Sequence, residues 1–576
     1  MKKSGAALAR FALEQLGVTH TFGIPGVHNT ELYDELNNSK SIQPILVTHE
    51  GGAAFMADAV SRTSQSIGTL LIVPAAGITH AASGIGEAYL AGIPMLIITG
   101  GIHSQSDFSF QLHEMDQHSL LAPITKGSFL IESHAEVIPT FYAAYQLAMR
   151  GEPGPVFVEL PYNIGNFLGE VNAMPEFTGL EPPSQFDSTL VNQAAELLVA
   201  AKQPGIFVGW GAVDCQADLI ELAELLNAPV ATTLQGLSAF PANHPLHTGM
   251  GFGDYSVPAG QTAFEACDAL LAIATRFAEI PTGSFSMQVP ENLVHLDINP
   301  QVFNANYPAK IALEGDARLI VPALLKAVKD LKPQANKLPH AETIAQAKAA
   351  YLQEWQAHSQ DGRVNPAEFL QTLRKELPEE ALVVADDGNH TYLVAELFPL
   401  LGPRKFISPT DFNAMGYCVP AVIGAKLANP DLPVVGIVGD GALLMTGMEM
   451  LTGVSNQLGL VVFVFNDGEL SQIAQAQALP YNRKTCTQLA PIDIQALANT
   501  VGAEYLALHQ AKDIQPAIKK ALDLAKQNKA VYVDVRVDYS KPTRFTQGVI
   551  KATLKRFAPQ DKIRVVSRAL IRKLTG

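Results

Sequence analysis

Short runs rich in valine and isoleucine alternate with helical segments along almost the whole chain, and this alternation limits the possible folds most strongly. Such runs, without a polar residue at every second position, are typical of parallel strands buried on both faces of a sheet. Parallel neighbours require a right-handed helical crossover between them. We therefore predict an α/β protein with doubly wound, mainly parallel sheets, and a chain of 576 residues is too long for one domain.

The alternation divides the chain into three blocks. The first covers residues 1–170, and a proline-rich link at 174–186 separates it from a second block at 186–332. A polar helical linker leads to the third block at 360–545, which contains the most continuous apolar runs. A basic tail at 546–576 completes the chain. The sequence therefore predicts three domains and a tail.

The composition argues against several classes of protein. No apolar run approaches the roughly 20 residues that span a membrane, and Arg10 and Glu14 interrupt the only stretch that resembles a signal peptide. Four separate cysteines without a CxxC pair argue against a zinc or iron–sulfur site and fit a cytoplasmic location. A net charge of -15 makes nucleic acid an unexpected partner. We predict a cytoplasmic enzyme.

Two apolar runs of the third block each end in an aspartate that is followed by a glycine. The run "VVGIVGDG" ends at Asp440 and the run "LVVFVFNDG" ends at Asp467. The helical pattern between them is long enough for one crossover, so both acids are expected at the sheet edge where open α/β folds bind ligands. Two carboxylates this close repel each other unless a cation lies between them. Oxygen ligands of this kind suit Mg²⁺ shared with a phosphate.

Gly441 and Ala442 begin the helix that follows the first of these turns. The free N–H groups of a helix start favour a phosphate. Each tripeptide taken alone is more often a plain tight turn. The pair at this spacing instead predicts a site for magnesium and a diphosphate.

These residues resemble a known family. A GDG turn, a helix and an Asn-Asn or Asn-Asp pair at this spacing form the binding motif of thiamin diphosphate enzymes of the acetolactate synthase and 2-oxo acid decarboxylase group. The resemblance covers nearly the whole chain and implies a pyrimidine-binding, a central and a diphosphate-binding domain. It also implies thiamin diphosphate and Mg²⁺, a small-molecule 2-oxo acid substrate, and a homodimer or homotetramer with active sites at the subunit interface.

By this resemblance the third block binds the metal and the diphosphate. Asp440, Asp467 and the backbone carbonyl of Glu469 would be the metal ligands. The family usually has Asn at the position of Asp467, so the extra charge is expected to tighten metal binding. The other cofactor contacts implied in this block are Gly388, Asn389, His390, Asn413, Met415, Gly439, Gly441, Ala442 and Leu470.

Three of these residues carry specific expectations. The resemblance makes the side chain of Met415 the wedge between the two cofactor rings, a role that suits a flexible thioether. The carbonyl of Asn413 would accept a hydrogen bond from the 4′-amino group. Plain core is the alternative for Met415, and a histidine in a surface turn is the alternative for His390.

The first block would supply the catalytic acid. Glu50 follows a strand-like run and begins a helix rich in glycine and alanine, "EGGAAFMADAV". The resemblance makes Glu50 the glutamate that bonds the pyrimidine ring nitrogen and so promotes deprotonation of the thiazolium carbon. The alternative is a carboxylate that only stabilises the positive end of the helix dipole.

The resemblance also places Gly26, His28, His80 and His113 around the reaction centre and Gln472 in the substrate pocket. His80 stands where the family usually has Asn, and His113 replaces a Gln. Imidazoles in these positions would donate protons or hold a carboxylate, while each could also be a structural histidine. These departures leave the identity of the substrate undetermined, whereas the implied cofactor is unaffected by them.

The predicted reaction is decarboxylation of a pyruvate-like 2-oxo acid with carboligation to a second carbonyl, as in acetolactate synthase. A non-oxidative decarboxylase or C–C lyase that releases an aldehyde is the alternative, since "FGIPGVH", "LHE" and "LSQI" also resemble enzymes acting on guanidino-type 2-oxo acids. A non-catalytic thiamin diphosphate-binding subunit is a third interpretation. FAD is compatible with the central block, but the residues after Arg276 do not lead us to expect it. The tail is predicted to cover the active-site rim rather than to contact a membrane.

Overall fold

The computed structural model describes residues 1–334, 338–358 and 362–575. It contains three six-stranded sheets, one after another along the chain. Every pair of neighbouring strands within these sheets is parallel. The predicted fold class, three α/β domains with mainly parallel sheets, is therefore confirmed. The exact domain boundaries stay predictions.

The N-terminal domain alternates strands and helices. Its strands are β1 (Lys2–Ser4), β2 (His20–Gly23), β3 (Gln43–Leu46), β4 (Gly68–Ile72), β5 (Met95–Gly101), β6 (Gly127–Leu130), β7 (Pro155–Pro161) and β8 (Leu168–Glu170). Its helices are α1 (Gly5–Gln15), α2 (Thr30–Leu36), α3 (Glu50–Thr63), α4 (Ala76–Ala91), α5 (Gln117–Leu121), α6 (Val137–Met149) and α7 (Tyr162–Asn166). The sheet has the order β3-β2-β4-β5-β7-β6, and β1 pairs separately with β8.

The central domain and the linker follow. The strands are β9 (Pro204–Val208), β10 (Val230–Thr232), β11 (His247–Met250), β12 (Ala269–Ile273), β13 (Asn292–Asp297) and β14 (Ile311–Glu314). The helices are α8 (Ser188–Ala200), α9 (Gln216–Leu226), α10 (Pro258–Phe264), α11 (Ala317–Asp330) and, in the linker, α12 (His340–Gln356). The sheet order is β11-β10-β9-β12-β13-β14, which is the order of dinucleotide-binding folds.

The C-terminal domain and the tail complete the chain. The strands are β15 (Leu382–Ala385), β16 (Phe406–Ile407), β17 (Val434–Gly439), β18 (Leu460–Phe465), β19 (Glu504–Leu508) and β20 (Ala530–Val535). The helices are α13 (Pro366–Glu376), α14 (Asn389–Leu397), α15 (Cys418–Ala428), α16 (Asp440–Thr446), α17 (Met450–Ser455), α18 (Ser471–Tyr481), α19 (Ile494–Val501), α20 (Ile514–Ala525), α21 (Arg544–Arg556) and α22 (Pro559–Thr575). The sheet order is β16-β15-β17-β18-β20-β19.

The two outer domains share one topology. In both, the first strand of the sheet lies between the second and the third, so the chain turns to opposite sides after neighbouring strands. This switch point falls between β2 and β4 in the N-terminal domain and between β15 and β17 in the C-terminal domain. Ligands of open α/β sheets bind outside the carboxyl ends of the strands at such points.

Helix α3 joins the two outer domains. All of its residues are buried, because it lies between α4 and α15. A Cβ atom at Gly84 of α4 would collide with Ala54, and one at Gly424 of α15 would collide with the backbone of Met56. The glycines and alanines therefore allow the three helices to pack at backbone contact distance, which explains why this helix is rich in small residues.

The crossover between the two predicted metal ligands is not one continuous helix. A 3-10 turn at Gly447–Glu449 separates α16 from α17. The hydroxyl group of Tyr532 donates a hydrogen bond of 2.7 Å to the carbonyl oxygen of Gly447, and glycine itself lowers helix propensity. The side chain of Glu449 at this break points to the N-terminal domain, where it has a role described below.

The tail lies against the C-terminal end of α18. The guanidinium of Arg568 is 4.4 Å from the ring centroid of Tyr481, and Arg572 donates to the carbonyl of Tyr481 at 2.9 Å. Cations at the end of a helix stabilise its negative dipole end. Helix α18 begins at Ser471, beside the predicted metal site. None of the helices in the described ranges has the length and apolarity needed to cross a membrane.

Candidate active site

Asp440 and Asp467 lie on adjacent loops of the C-terminal sheet. Strands β17 and β18 pair up to Gly439 and Phe465, and each acid follows its strand directly or after one residue. The backbone N–H of Gly468 donates to Oδ2 of Asp440 at 2.7 Å. The two carboxylates therefore share the carboxyl edge of the sheet, next to the switch point between β15 and β17, where open α/β sheets bind ligands.

The electrostatics of this pair favour a cation. Burial raises the pKa of Asp440, and burial together with the charge of Asp440 raises the pKa of Asp467 to about 6. Oδ2 of Asp467 accepts a hydrogen bond from Ser471. Its Oδ1 is buried and has no hydrogen-bond partner among the described residues. Such an atom is destabilising unless a ligand pairs with it, and a divalent cation would do so.

The backbone carbonyl of Glu469 takes no part in the hydrogen bonds that pair residues 468–470 with residues 487–489. Leu470 donates to the carbonyl of Thr487 at 2.7 Å, and Leu489 donates to the carbonyl of Gly468 at 3.0 Å. The residue between two such bonds in an antiparallel pair has its own carbonyl directed away from the partner segment. The carbonyl oxygen of Glu469, two residues after Asp467, is therefore not used by this backbone pairing and is available to a ligand.

Polar donors lie at the start of α14, on the other side of the switch point. Gly388 has φ of +152°, a conformation that favours glycine. The side-chain atoms Nδ2 of Asn389 and Nε2 of His390 are buried and lack a partner among the described residues. Buried donors are normally paired, so their position at a helix start indicates an anionic ligand such as phosphate.

His390 is a buried residue. Its side chain is 3% exposed, so the alternative of a histidine in a surface turn is wrong. Burial lowers its pKa to about 3, and the imidazole is therefore neutral near pH 7. The hydroxyl of Tyr539 lies 3.5 Å from Nδ1. When that hydroxyl donates to Nδ1, Nε2 carries the proton and is a donor to the ligand.

An apolar side of the same site is formed by Met415 and Leu470. A Cβ atom at Gly441 would collide with the side chain of Leu470 and would lie 3.7 Å from Cε of Met415. Glycine at this position therefore leaves room between the two side chains. Asn413 has φ of +62°. Burial raises the pKa of Asp387 to about 6, and the nearby side chain of Asn413 offsets part of this rise.

Glu50 begins α3 in the N-terminal domain and is 6% exposed. Its Oε2 lies 3.0 Å from Nδ1 of His80, and the rings of His49 and His80 stack with centroids 4.7 Å apart. The cap of α3 is His49, whose Nδ1 accepts the N–H of Gly51 at 3.0 Å. Glu50 is thus bonded to a neighbouring imidazole, while another residue caps the helix.

The segment before Glu50 is held by the C-terminal domain. Both the N–H and the hydroxyl of Thr48 donate to the carboxylate of Glu449, at 2.9 and 2.6 Å. A Cβ atom at Gly52 would lie 2.5 Å from that carboxylate. Sequence reasoning missed Glu449, because its partner lies 401 residues away in the chain.

His28 and His113 form a second histidine pair in the N-terminal domain. Their Nδ1 atoms lie 3.2 Å apart, so one ring donates to the other. Burial and the neighbouring His113 lower the pKa of His28. Gly26 lies at the same sheet edge, where a Cβ atom would lie 2.5 Å from the side chain of Val73.

The predicted site residues thus form two clusters in one chain. The N-terminal cluster contains Gly26, His28, Glu50, His80 and His113. The C-terminal cluster contains the predicted metal ligands and diphosphate contacts, including Gly439 and the buried Ala442 in the first turn of α16. Gln472 belongs to it, and its Oε1 is buried without a partner among the described residues. No hydrogen bond between described residues joins the two clusters.

Two further residues of the C-terminal cluster were not predicted. Ser471 bonds Asp467 and follows it by four residues, so a hydroxyl close to a metal-ligand candidate was an available signal. Tyr539 is close to His390, and burial together with the charges of Asp467 and Asp440 raises the pKa of its hydroxyl group. It comes from the segment after β20, and nothing in its local sequence points to the site.

Three family models match the chain in succession. The N-terminal TPP binding domain of thiamine pyrophosphate enzymes matches residues 3–120, their central domain matches 191–324, and their C-terminal TPP binding domain matches 386–535. Together the three matches cover most of the chain. The chain belongs to the thiamine pyrophosphate enzyme family.

Relatives of this thiamine pyrophosphate enzyme are similar over nearly their whole length. The chain is 31% identical to the probable acetolactate synthase large subunit of Methanocaldococcus jannaschii, covering 93% of this chain and 92% of that protein. It is 30% identical to the acetolactate synthase large subunit of Haemophilus influenzae, covering 94% and 96%. It is 29% identical to the acetolactate synthase isozyme 3 large subunit of Escherichia coli strain K12, covering 93% and 95%.

The residues present fit thiamine pyrophosphate, here called thiamin diphosphate. The unpaired Oδ1 of Asp467 suits a cation, and the unpaired donors of Asn389 and His390 suit a diphosphate. The space between Met415 and Leu470 suits an apolar ring. The N-terminal cluster lies within residues 3–120 and the C-terminal cluster within 386–535, the segments that match the two TPP binding domains.

Proposed function

We propose that this thiamine pyrophosphate enzyme decarboxylates a pyruvate-like 2-oxo acid and transfers the remaining acyl unit to a second carbonyl compound, with Mg²⁺ as the metal. The observation that carries the proposal is the pair of the buried Asp440 and the half-buried Asp467, which lies at the sheet edge beside the unpaired donors of Asn389 and His390. The similarity to acetolactate synthase large subunits over nearly their full length supports carboligation rather than simple decarboxylation.

The C-terminal cluster would hold the metal and the diphosphate. Asp440, Asp467 and the carbonyl of Glu469 offer three oxygen ligands, and Mg²⁺ completes its shell with phosphate and water. Asn389 and the neutral His390 would donate hydrogen bonds to phosphate oxygens. These contacts would bind and orient the cofactor.

The N-terminal cluster would carry the proton chemistry. Bound thiamin diphosphate supplies a carbon nucleophile for 2-oxo acids and stabilises the electron pair that decarboxylation leaves. Glu50 would share a proton with the pyrimidine ring nitrogen. His80, 3.0 Å from Oε2 of Glu50, would hold the carboxyl group in one rotamer through that oxygen and leave Oε1 to bond the ring.

The His28–His113 pair would serve the substrate. A neutral imidazole that bonds a second imidazole can accept or donate a proton without leaving an unpaired partner. We expect His113→Gln to lower kcat by about 10²-fold, the usual contribution of one acid–base group, and to leave cofactor affinity unchanged. Steady-state kinetics and a thiamin diphosphate titration measure both quantities.

His20→Gln is the matched control for this variant. His20 lies in β2, the strand that leads to His28, and its one side-chain hydrogen bond among the described residues joins Nδ1 to the hydroxyl of the neighbouring Thr19 at 3.0 Å. Its replacement should leave kcat unchanged. If His113→Gln also keeps the wild-type kcat and KM, the pair is structural and has no role in the reaction.

We also propose that each active site combines two chains. In one chain the loop that carries Asn413 and Met415 contacts the far end of α3, where Arg62 donates to the carbonyl of Ser408 at 3.4 Å. Tyr417, two residues after Met415, bonds Asp58 in the middle of α3. Glu50 lies at the opposite end of the helix, about 18 Å from Arg62 and about 12 Å from Asp58 at 1.5 Å per residue. A cofactor that reaches Glu50 and Met415 would therefore take them from different chains of a homodimer or homotetramer. A protein that is monomeric in analytical ultracentrifugation under the conditions in which it is active would contradict this proposal.

The central domain adds a cavity of about 1350 Å³ at the carboxyl edge of its sheet. Its lining includes Trp210, Arg276 and Asp297. The strand order is that of dinucleotide-binding folds, whereas the proposed reaction involves no net electron transfer. The absence of FAD therefore stays a prediction, which the visible absorption spectrum of the purified protein tests.

The proposed function is tested by its products. Purified protein, thiamin diphosphate, Mg²⁺ and pyruvate are incubated, and acetolactate and acetaldehyde are quantified separately. Acetolactate is the expected main product. Acetaldehyde alone would establish the decarboxylase alternative. CO₂ released only from another 2-oxo acid of a substrate panel would identify that acid, and not pyruvate, as the substrate. No CO₂ from any 2-oxo acid would establish the non-catalytic binding subunit.

A further inference from the structure

The loop of residues 408–416, here called the cofactor loop, connects β16 to α15 and carries Asn413 and Met415. Buried carboxylates hold its backbone. The N–H groups of Thr410 and Ala414 donate to the two oxygens of Glu87, at 3.1 and 3.3 Å. The N–H of Gly416 donates to Asp386 at 2.9 Å.

Glu87 belongs to the N-terminal domain, on α4. Its side chain has no exposed surface. Arg62 of α3 lies 3.7 Å from it and also pairs with Asp58 at 2.7 Å, and Asp58 accepts the hydroxyl of Tyr417 at 2.6 Å. The network therefore places a compensated but fully buried carboxylate directly against the cofactor loop.

The central domain holds the same loop. The guanidinium of Arg276 bonds Asp411 of the loop and the carbonyl of Leu90 at the end of α4. It also lies 3.7 Å from Glu152. Arg276 is therefore tied to both outer domains, and all three domains of the chain meet at the cofactor loop.

The surface of α4 is shaped for the loop. A Cβ atom at Gly86 would lie 2.5 Å from the ring of Phe412. Glycine beside Glu87 therefore leaves room for the ring of Phe412 against α4, in the same loop whose two N–H groups reach the carboxylate. The contact is thus made by the backbone of the loop and by one side chain of α4.

We propose that Glu87 is a positioning residue, which fixes the cofactor loop from the N-terminal domain of the same chain and thereby holds Asn413 and Met415 in the conformation that binds the cofactor. The inference rests on the proposed function, since the roles of Asn413 and Met415 belong to it. A carboxylate has two acceptor oxygens for the two N–H groups of the loop. An amide in its place has one, and its NH₂ group would face an N–H.

The alternative is that Glu87 only compensates the charge of Arg62. Two variants separate these roles. Glu87→Gln removes the charge and one acceptor. Glu87→Asp keeps the charge near Arg62 but withdraws the oxygens from Thr410 and Ala414 by one methylene. A role in positioning predicts that both variants weaken cofactor binding, whereas charge compensation predicts an effect of Glu87→Gln alone, on stability.

The test measures the dissociation constant of thiamin diphosphate for the full-length protein by equilibrium dialysis at saturating Mg²⁺. Near-ultraviolet circular dichroism of the bound cofactor and thermal unfolding accompany it. We expect both variants to raise the dissociation constant by about tenfold, as for the loss of one buried hydrogen bond, and to change the dichroism of the bound cofactor.

Glu396→Gln is the matched control. Glu396, on α14, also accepts two backbone N–H groups, those of Arg544 and Phe545, at 3.2 and 2.8 Å. Its loss should lower the unfolding temperature and leave cofactor affinity unchanged.

The outcomes distinguish this inference from the proposed function. If the wild-type protein binds no thiamin diphosphate, the proposed function fails. If the wild type binds it and Glu87→Asp folds and binds with the same affinity and dichroism, the positioning role is overturned, even where Glu87→Gln does not fold.

Discussion

Glu50→Gln is expected to leave the protein folded and able to bind thiamin diphosphate, but to lower turnover by about 10²–10⁴-fold, the range of general acid–base catalysis. Glutamine keeps the volume of the side chain and an oxygen that can pair with His80, but it has no carboxyl proton to share. Cofactor binding depends mainly on the C-terminal cluster and should change little. The measurements are kcat with the productive 2-oxo acid and a thiamin diphosphate titration.

Glu368→Gln is the control for a purely electrostatic role of Glu50. Glu368 is an exposed carboxylate in the first turn of α13, and its side chain makes no hydrogen bond or ion pair within the described residues. Its loss therefore removes a favourable interaction with a helix dipole. Its turnover should equal that of the wild type. Wild-type turnover by Glu50→Gln would show that Glu50 only stabilises α3 and that the proposed proton chemistry is wrong.

The same variant tests the shared active site. Chains with Glu50→Gln and chains with Asp440→Asn would each be inactive alone. In a mixed dimer, one site would combine the intact Glu50 of one chain with the intact Asp440 of the other. Random mixing of a symmetric dimer should restore about a quarter of the wild-type activity. No restored activity in a preparation that contains mixed dimers would place both residues of a site in one chain.

Asp440→Asn is expected to weaken Mg²⁺-dependent cofactor binding by about 100-fold or more, since even partners of metal ligands contribute 10–100-fold. Asp440 is 3% exposed and also accepts the N–H groups of Gly441 and Gly468. An amide would lose one of these acceptors as well as the charge. The measurement is a titration of thiamin diphosphate over a series of Mg²⁺ concentrations.

Asp467→Asn should have a smaller effect of a different kind. It restores the residue that the family usually has, keeps an oxygen ligand and removes one negative charge. We expect weaker Mg²⁺ binding, by about tenfold or less, and a higher unfolding temperature of the metal-free protein, because the repulsion with Asp440 disappears. Asp493→Asn, an exposed N-cap of α19, is the control. Tighter Mg²⁺ binding by Asp467→Asn would contradict the expected role of the extra charge.

Strand-like apolar runs in the sequence predicted the inner strands of all three sheets, for example "PMLIITGG" for β5, "ALLAIATRF" for β12 and "LVVFVFNDG" for β18. No such run predicted β6, β11, β14, β16 and β19, and each of these is an edge strand of its sheet. Three of them, β6, β14 and β19, are only partly buried, so their sequences need no continuous apolar run. The other two, β11 and β16, are buried but have only four and two residues, which is too short for such a run to stand out.

The sequence by itself determined the α/β class, the succession of domains and the two acids at one sheet edge. These features depend on residues within one strand or one crossover, so their pattern is local. Only the tertiary structure decided how the site is held. Glu87 meets Thr410 across 323 residues, and Thr48 meets Glu449 across 401. Such pairs form because α3 and α4 pack against the C-terminal domain, and packing between distant elements leaves no periodic signal in the chain.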